Sequence, residues 1–521
     1  MHSKVMTRPV IFGALSLTVL LTAGLAQIRN ISAASPKQGT AEVKNFNPPL
    51  TLDNQGPAPR GGRMMLVTKG PVTDSTLAIL KNYATIHGVI RRYNLVALTP
   101  RSPAARTALT RLSFVALVES DLPRYLTDVG SWDRDIMDVV DVQESGLVGD
   151  PDPREVSYTG AGVHVALIDT GLVKNWRDFL IAGRVRADLA RAFMGGGAVA
   201  ENFVSADEFN ISNPTNLWER DTNSHGLATA SHVIGFKVGA QVVDGVAPGA
   251  KIIPMKVFPN GEAFTWSSRI IAAFAYTTAL KENGIGPMVV SMSISGGAPG
   301  YLERIAIDDA INAGVIVVTS AGNQGEQGMG WPAAFPEVIS AGAVGWTRQF
   351  LPGSPSAPNS SFWWNQDVGN DPDGSGASEE TEAYVADFSS RAIPSLGTAF
   401  GTDPQELDVL APGVWTVAPG SHGPTAGYFF WSGTSFSTPL TAGVAALMLE
   451  KNPALVQGTV ESILKSTALP MAGDDTRTGV LEPLLFGTFF TPSWDTDCAG
   501  EPCDPVGAGL VQADAALAAT P

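Results

Sequence analysis

The spacing of apolar residues changes along this chain, and each change predicts a different element. In WSGTSFSTPLTAGVAALML, Leu440, Val444, Leu447 and Met448 recur at helical spacing, while Ala442, Gly443, Ala445 and Ala446 fill the other faces with small groups. A helix that is apolar on all sides is a buried one. Pro439 is tolerated in a first turn, where its missing N–H costs little, so the pattern predicts a helix that begins at Ser435. Short unbroken apolar runs occur in VHVALID, ending at Asp169, in APGAKIIPMKV, in PMVVSMSISGG, and in AGVIVVTSAGN, ending at Asn323. These read as buried strands. Helical stretches lie between them, including SHGLATASHVIG, headed by His225, and GAGLVQADAAL closes the chain as a last short helix. Strands alternating with helices predict an α/β domain with a mostly parallel sheet covered on both faces.

The N-terminal third is patterned differently. Residues 63–125 alternate through MMLVTKG, DSTLAILKNYA, IHGVIRRYNLVALTP, SPAARTALTRL and FVALVES. This order predicts a small open α+β sheet with two helices on one face, the first helix capped by Asp74 or Ser75. Ahead of it, Lys4 and Arg8 precede an uncharged apolar run that ends at the small residues Gly24 and Ala26, the pattern of a cleaved signal peptide at 1–26. Residues 27–62 read as a flexible linker, 63–126 as a removable pro-segment, and 127–521 as the main domain, with a polar surface insertion at 351–384. The expected product is a secreted protein, extracellular or periplasmic.

Composition narrows the choices. A chain of 521 residues with 44% hydrophobic composition can bury a large core and hold more than one domain. A formal charge of −16 leaves no basic stripe for nucleic acid, and no membrane span is expected after signal cleavage. Cys498 and Cys503, close together in CAGEPC, can close a disulfide in an oxidising compartment or remain two thiols. Within the insertion, Asp371, Asp373, Ser375, Gly376 and Glu382 stand at offsets resembling a calcium loop, against which Pro372 favours a solvated acidic loop. Structural Ca²⁺ held by Asp371, Asp373 and Glu382 is the one metal expectation.

The chemistry follows from three residue types. A serine hydroxyl is too weak an acid to ionise at neutral pH, so a histidine must take its proton and a buried carboxylate must fix the histidine tautomer. Ser435 at a helix start, His225 at another helix start and Asp169 at the carboxyl end of a strand supply one group of each kind. No cofactor is needed for such chemistry. The order Asp, His, Ser differs from the α/β-hydrolase order, and without a GxSxG elbow around Ser435 that reading loses its main support.

Four blocks in this order resemble the subtilisin-like serine proteases, the subtilase family: VALIDTG around Asp169, SHGLATA around His225, SAGNQG around Asn323 and SGTSFSTP around Ser435. The likeness runs from Tyr158 to Leu517. It implies a subtilisin-like three-layer fold with a ferredoxin-like pro-domain, and a precursor that processes itself and is inhibited by its own pro-segment. Its substrates would be proteins or peptides. It also implies a triad of Asp169, His225 and Ser435, with the Asn323 amide and the Ser435 backbone N–H facing the tetrahedral oxyanion. By the same likeness Ser293, Ile294, Ser295, Gly296, Ala321, Gly322 and Gly330 wall the pocket for P1, the residue before the cleaved bond, and their lack of charge implies an apolar P1. The chain departs from the family's habit at Leu227 and Ala228, where Thr and His are usual, at Ser295, where Gly is usual, and at Phe436, where Met is common. Two other readings stay open. One is a peptide-binding pseudoprotease; the other is a sedolisin-like acid peptidase, which would carry Glu at position 225 and Asp at 323.

Overall fold

The computed structural model describes residues 63–121, 123–126, 133–139, 154–193, 217–238, 241–347, 349, 379–422, 425–477, 480–482 and 488–521. The expected signal peptide (1–26) and linker (27–62) lie outside the described residues, as does most of the 351–384 insertion. No helix among the described residues is long and apolar enough to cross a membrane.

The N-terminal domain is a four-stranded antiparallel sheet in the order Ala84–Ile90, Leu95–Pro100, Met64–Thr68, Val115–Ser120, with helices Asp74–Lys81 and Pro103–Thr110. The strand MMLVT is buried along its whole length, which a sheet covered on one face would not require. Alternation explains it. Met64 and Leu66 pack with Leu80 and Leu109 of the two helices, while Met65 and Val67 face the other way and join the core of the large domain. The first helix is capped one residue earlier than expected, because the Thr73 hydroxyl accepts from the Thr76 N–H at 3.2 Å, leaving Asp74 in the first turn.

The large domain is built on a sheet of eight strands among the described residues. Its order is Ala383–Val385, Ile339–Trp346, Val315–Ser320, Met288–Met292, His164–Asp169, Lys251–Lys256 and Arg191–Ala192, with Val409–Pro412 paired to Ile339–Trp346. All pairings are parallel except that of Ala383–Val385, which runs antiparallel at one edge. The central strands are buried at every residue, so both faces carry helices. The histidine helix (His225–Ile234) and the serine helix (Thr434–Lys451) pack against each other and against these strands, while Ser267–Glu282 and Tyr301–Asn312 form another packed pair. Cys498 and Cys503 are joined in a disulfide that packs with Ile393, which removes the two-thiol alternative.

The small domain is locked to the large one by charges at helix ends. The helices Ser267–Glu282 and Tyr301–Asn312 have no side-chain cap of their own. Asp121 accepts from the Ser268 N–H at 2.9 Å and its hydroxyl at 2.6 Å, and Glu119 accepts from the Tyr301 and Leu302 N–H groups at 2.8 and 3.1 Å. Both carboxylates thus meet the positive end of a helix dipole. Arg63 pairs with Asp121 at 2.8 Å in a buried contact and lies over the Trp266 ring. The chain then continues as Pro123–Leu126, an extended strand inserted between Phe264–Trp266 and Ile294–Ser295 and antiparallel to both.

Candidate active site

Asp169 ends its strand fully buried, and its two oxygens are occupied by donors. Oδ1 accepts from the Thr170 N–H at 2.6 Å and from His225 Nδ1 at 2.8 Å; Oδ2 lies 3.0 Å from the same Nδ1 and 3.1 Å from the Thr229 hydroxyl. A carboxylate can only accept here, so Nδ1 carries the ring proton and the neutral ring keeps its lone pair on Nε2. That is the tautomer a general base needs. Gly226 permits the approach, since a Cβ there would lie 2.2 Å from the Gly171 carbonyl and 3.2 Å from Asp169 Oδ1.

The start of the histidine helix is held by a second network that the sequence did not single out. Ser224, just before His225, has φ +76°, an unusual angle for a residue with a side chain. Asp221 holds it there, accepting from the Ser224 N–H at 2.7 Å and from the Thr170 hydroxyl at 2.9 Å, and that hydroxyl in turn accepts from the Gly226 N–H at 2.9 Å. Lys256 completes the cluster, its Nζ donating to the Thr170 carbonyl and lying 3.7 Å from Asp221. Burial lowers the Lys256 pKa, opposed by the nearby Asp221 and Asp169.

Ser435 is the second residue of the serine helix, as the pattern predicts, but Pro439 lies beyond the first turn. A proline there removes the N–H that would have bonded the Ser435 carbonyl. The Ser293 hydroxyl replaces it, donating to that carbonyl at 2.7 Å. One helix irregularity therefore fixes the Ser293 segment beside Ser435. Phe436 places its buried ring 5.5 Å from the His225 ring and 5.3 Å from the His232 ring, so the histidine meets the residue adjacent to Ser435. Asn323 lies in the loop after the strand Val315–Ser320, three residues past where the apolar run stops pairing. Its Oδ1 accepts from the Thr434 N–H at 3.0 Å and hydroxyl at 2.8 Å, which turns the amide hydrogens away from Thr434.

The expected pocket residues come together on one side of Ser435. Gly296 and Trp331 exchange backbone hydrogen bonds at 2.9 and 2.8 Å, and Gly330 donates to the Ala321 carbonyl at 2.9 Å. Ile294 pairs with Leu126, and Ser295 with Tyr125, of the inserted strand. Ser295 points between Gly322 and Gly330. Of the calcium expectation, Asp371 and Asp373 lie outside the described residues, and Glu382 is buried, accepting from Trp346 Nε1 at 2.7 Å. Among the described residues, no three His, Cys, Asp or Glu side chains cluster as a metal site.

A carboxylate-held imidazole, a serine at a helix start and an anchored amide define the class of nucleophilic serine hydrolases. The profile of the subtilase family, peptidase S8, matches residues 160–484, more than half of the chain, and the chain belongs to that family of serine-type endopeptidases. Subtilisin DY of Bacillus licheniformis is 29% identical over 315 residues, 60% of this chain and 85% of that protein. Subtilisin E of Bacillus subtilis (strain 168) is 29% identical over 319 residues, again 60% of this chain but 61% of that one. The crystal structure of fervidolysin from Fervidobacterium pennivorans, described as a keratinolytic enzyme related to subtilisin, has a TM-score of 0.55 at 21% identity. It covers 88% of this chain and 61% of its own, and supports the fold.

Proposed function

We propose that the chain is the exported precursor of a serine endopeptidase that uses Ser435 as nucleophile, His225 as general base and Asp169 as the group that holds the base. The observation that carries this reading is the Asp169–His225 pair, whose geometry leaves Nε2 as the basic nitrogen. As Ser435 Oγ attacks a peptide carbonyl, its proton passes to Nε2, and the imidazolium that forms is stabilised by Asp169. The carbonyl oxygen becomes an oxyanion facing the Asn323 amide and the Ser435 N–H. Nε2 then gives its proton to the leaving amine, and water repeats the cycle on the acyl-enzyme.

The pro-segment acts as the chain's first substrate and its inhibitor. Support comes from the strand Pro123–Leu126, whose pairing with Ile294–Ser295 leads toward Ser293 and the Ser435 carbonyl. Thr127 is the first residue past this strand in the sequence, and we assign self-cleavage to the Thr127–Asp128 bond, one residue beyond the expected end of the pro-segment at 126. Export rests on the 1–26 pattern alone. The test is Ser435→Ala: the variant folds but retains the pro-segment covalently, and added peptide is hydrolysed about 10⁶-fold more slowly, the loss in kcat that subtilisin itself shows for its own serine. Normal maturation of Ser435→Ala in a host without other proteases would remove Ser435 from the mechanism and favour the peptide-binding reading.

A further inference from the structure

The wall of the cleft carries a hydroxyl that the mechanism does not use. Ser295 is 4% exposed, and its Oγ has no hydrogen-bond partner among the described residues. A Cβ built on Gly330 would lie 1.9 Å from this oxygen, and one on Gly322 would lie 3.1 Å from it. The Ser295 side chain therefore occupies the space that two side-chain-free positions leave open. Gly330 in turn is tied to Ala321, and its neighbour Trp331 to Gly296, so the enclosure is framed by backbone hydrogen bonds and cannot widen easily.

Register shows which substrate residue meets it. The inserted strand sets Tyr125 opposite Ser295 and Leu126 opposite Ile294, so the next position of any peptide on this track falls opposite Ser293. Ser293 holds the Ser435 carbonyl, which makes that position P1. Side chains two apart on a strand share a face, and directly opposed residues of an antiparallel pair do too. The P1 side chain therefore leaves the peptide on the same face as Ser295, as its diagonal neighbour, about 7–8 Å away between backbones and within reach of a side chain.

Resting on the protease reading above, we infer that Ser295 sets P1 specificity, shortening the pocket so that it takes small residues (alanine, serine and threonine) in preference to leucine or phenylalanine. The unpartnered hydroxyl gives a hydroxylated P1 residue a hydrogen-bond partner, and a buried polar group left unpaired disfavours a long apolar one. The apolar P1 expectation is narrowed accordingly. The threonine assigned to P1 in self-cleavage fits such a space.

The test uses enzyme matured from the full chain and four reporter peptides that differ only at P1, carrying Ala, Thr, Leu or Phe. The parent should cleave the Ala and Thr peptides with kcat/KM about tenfold or more above that for Phe, as expected when one or more methylenes do not fit. Ser295→Gly should raise the Phe/Ala ratio of kcat/KM about tenfold, through KM for Phe as well as kcat. Ser295→Ala, which keeps the Cβ, should lose the advantage of Thr over Ala with a smaller gain for Phe. A parent that cleaves the Phe peptide as well as the Ala peptide overturns the inference, as does an unchanged ratio in Ser295→Gly. If no peptide is cleaved and a fluorophosphonate fails to label Ser435, the protease reading itself falls and this inference with it; labelling with the wrong ranking overturns only the role of Ser295.

Discussion

The two sides of Ser435 are finished to different degrees. On the Asp169 side, three donors from three residues hold one carboxylate, and a further network of Thr170, Asp221 and Lys256 fixes the backbone before His225. On the Ser293 side, a hydroxyl is buried without a partner beside two glycines. The difference matches what each side must do. Groups that handle protons gain by being fixed before substrate arrives, because no reorganisation then accompanies the reaction. Groups that choose a side chain are completed by that side chain, and a wrong one leaves them unpaired.

That division makes the largest prediction. Asn323→Ala should lower kcat about 10²–10³-fold, a magnitude known from subtilisin, a member of this family, rather than obtained from this geometry. The fall should be the same for peptides with Ala, Thr, Leu or Phe at P1. Steady-state kinetics on the four peptides would check it, and a P1 ranking that shifts in Asn323→Ala would break the separation of the two sides. Thr434→Val is a milder form of the same experiment. It removes the hydroxyl but keeps the backbone donor to Asn323 Oδ1, so the expected loss is about two- to tenfold in kcat with KM little changed.

What could be read from sequence was local. The strand ending at Asp169 and the helix beginning beside Ser435 follow from runs of apolar residues within one element, whereas the place of Ser295 in the pocket wall came only from the resemblance to the subtilase family. Contacts between distant segments were not legible. Nothing near Asn323 in the chain indicates that Thr434 holds its amide, and nothing near Ser267 or Tyr301 indicates that Asp121 and Glu119 cap their helices. Two signals were present but indirect. Pro439, four residues after Ser435, implies a carbonyl that needs a donor from elsewhere, and the doubly apolar strand MMLVT implies a second covered face.

A smaller effect concerns acid stability behind the histidine. His232 is buried, with Nδ1 donating to the Ala228 carbonyl at 2.8 Å, Nε2 facing the Thr416 hydroxyl, and Asp133 3.7 Å away. Burial, with a contribution from Arg134, pushes its pKa down to about 3 from an ordinary 6.5. The folded protein therefore keeps the ring neutral where the unfolded chain binds a proton. Stability from this group is complete above pH 6.5 and is lost progressively as pH falls toward 3. His164, pushed down to about 4 mainly by burial, acts in the same direction. Tm should fall on the order of a few degrees between pH 6.5 and 4, and the slope should be shallower in His232→Gln. Parallel curves for the two proteins would mean that His232 protonates as readily folded as unfolded.

The smallest initial effect is expected at Phe436, where the two sides of the site meet the helix. Its ring is fully buried against His225, His232 and Trp431, with centroids 5.5, 5.3 and 5.7 Å away. Replacing it by methionine, as is common in the family, roughly conserves volume and should cost less than about 1.5 kcal/mol, leaving activity within about tenfold of the parent. The chemistry of the position changes more than its packing does. Peroxide converts a thioether to a polar sulfoxide, and a sulfoxide forced among three aromatic rings one residue from Ser435 would displace the His225 ring. Phenylalanine offers peroxide no comparable atom. Brief peroxide treatment should therefore leave the parent largely active and inactivate Phe436→Met, with mass spectrometry locating the added oxygen at position 436. If the parent is inactivated as fast as the variant, oxidation elsewhere controls activity, and Phe436 does not protect the site around Ser435.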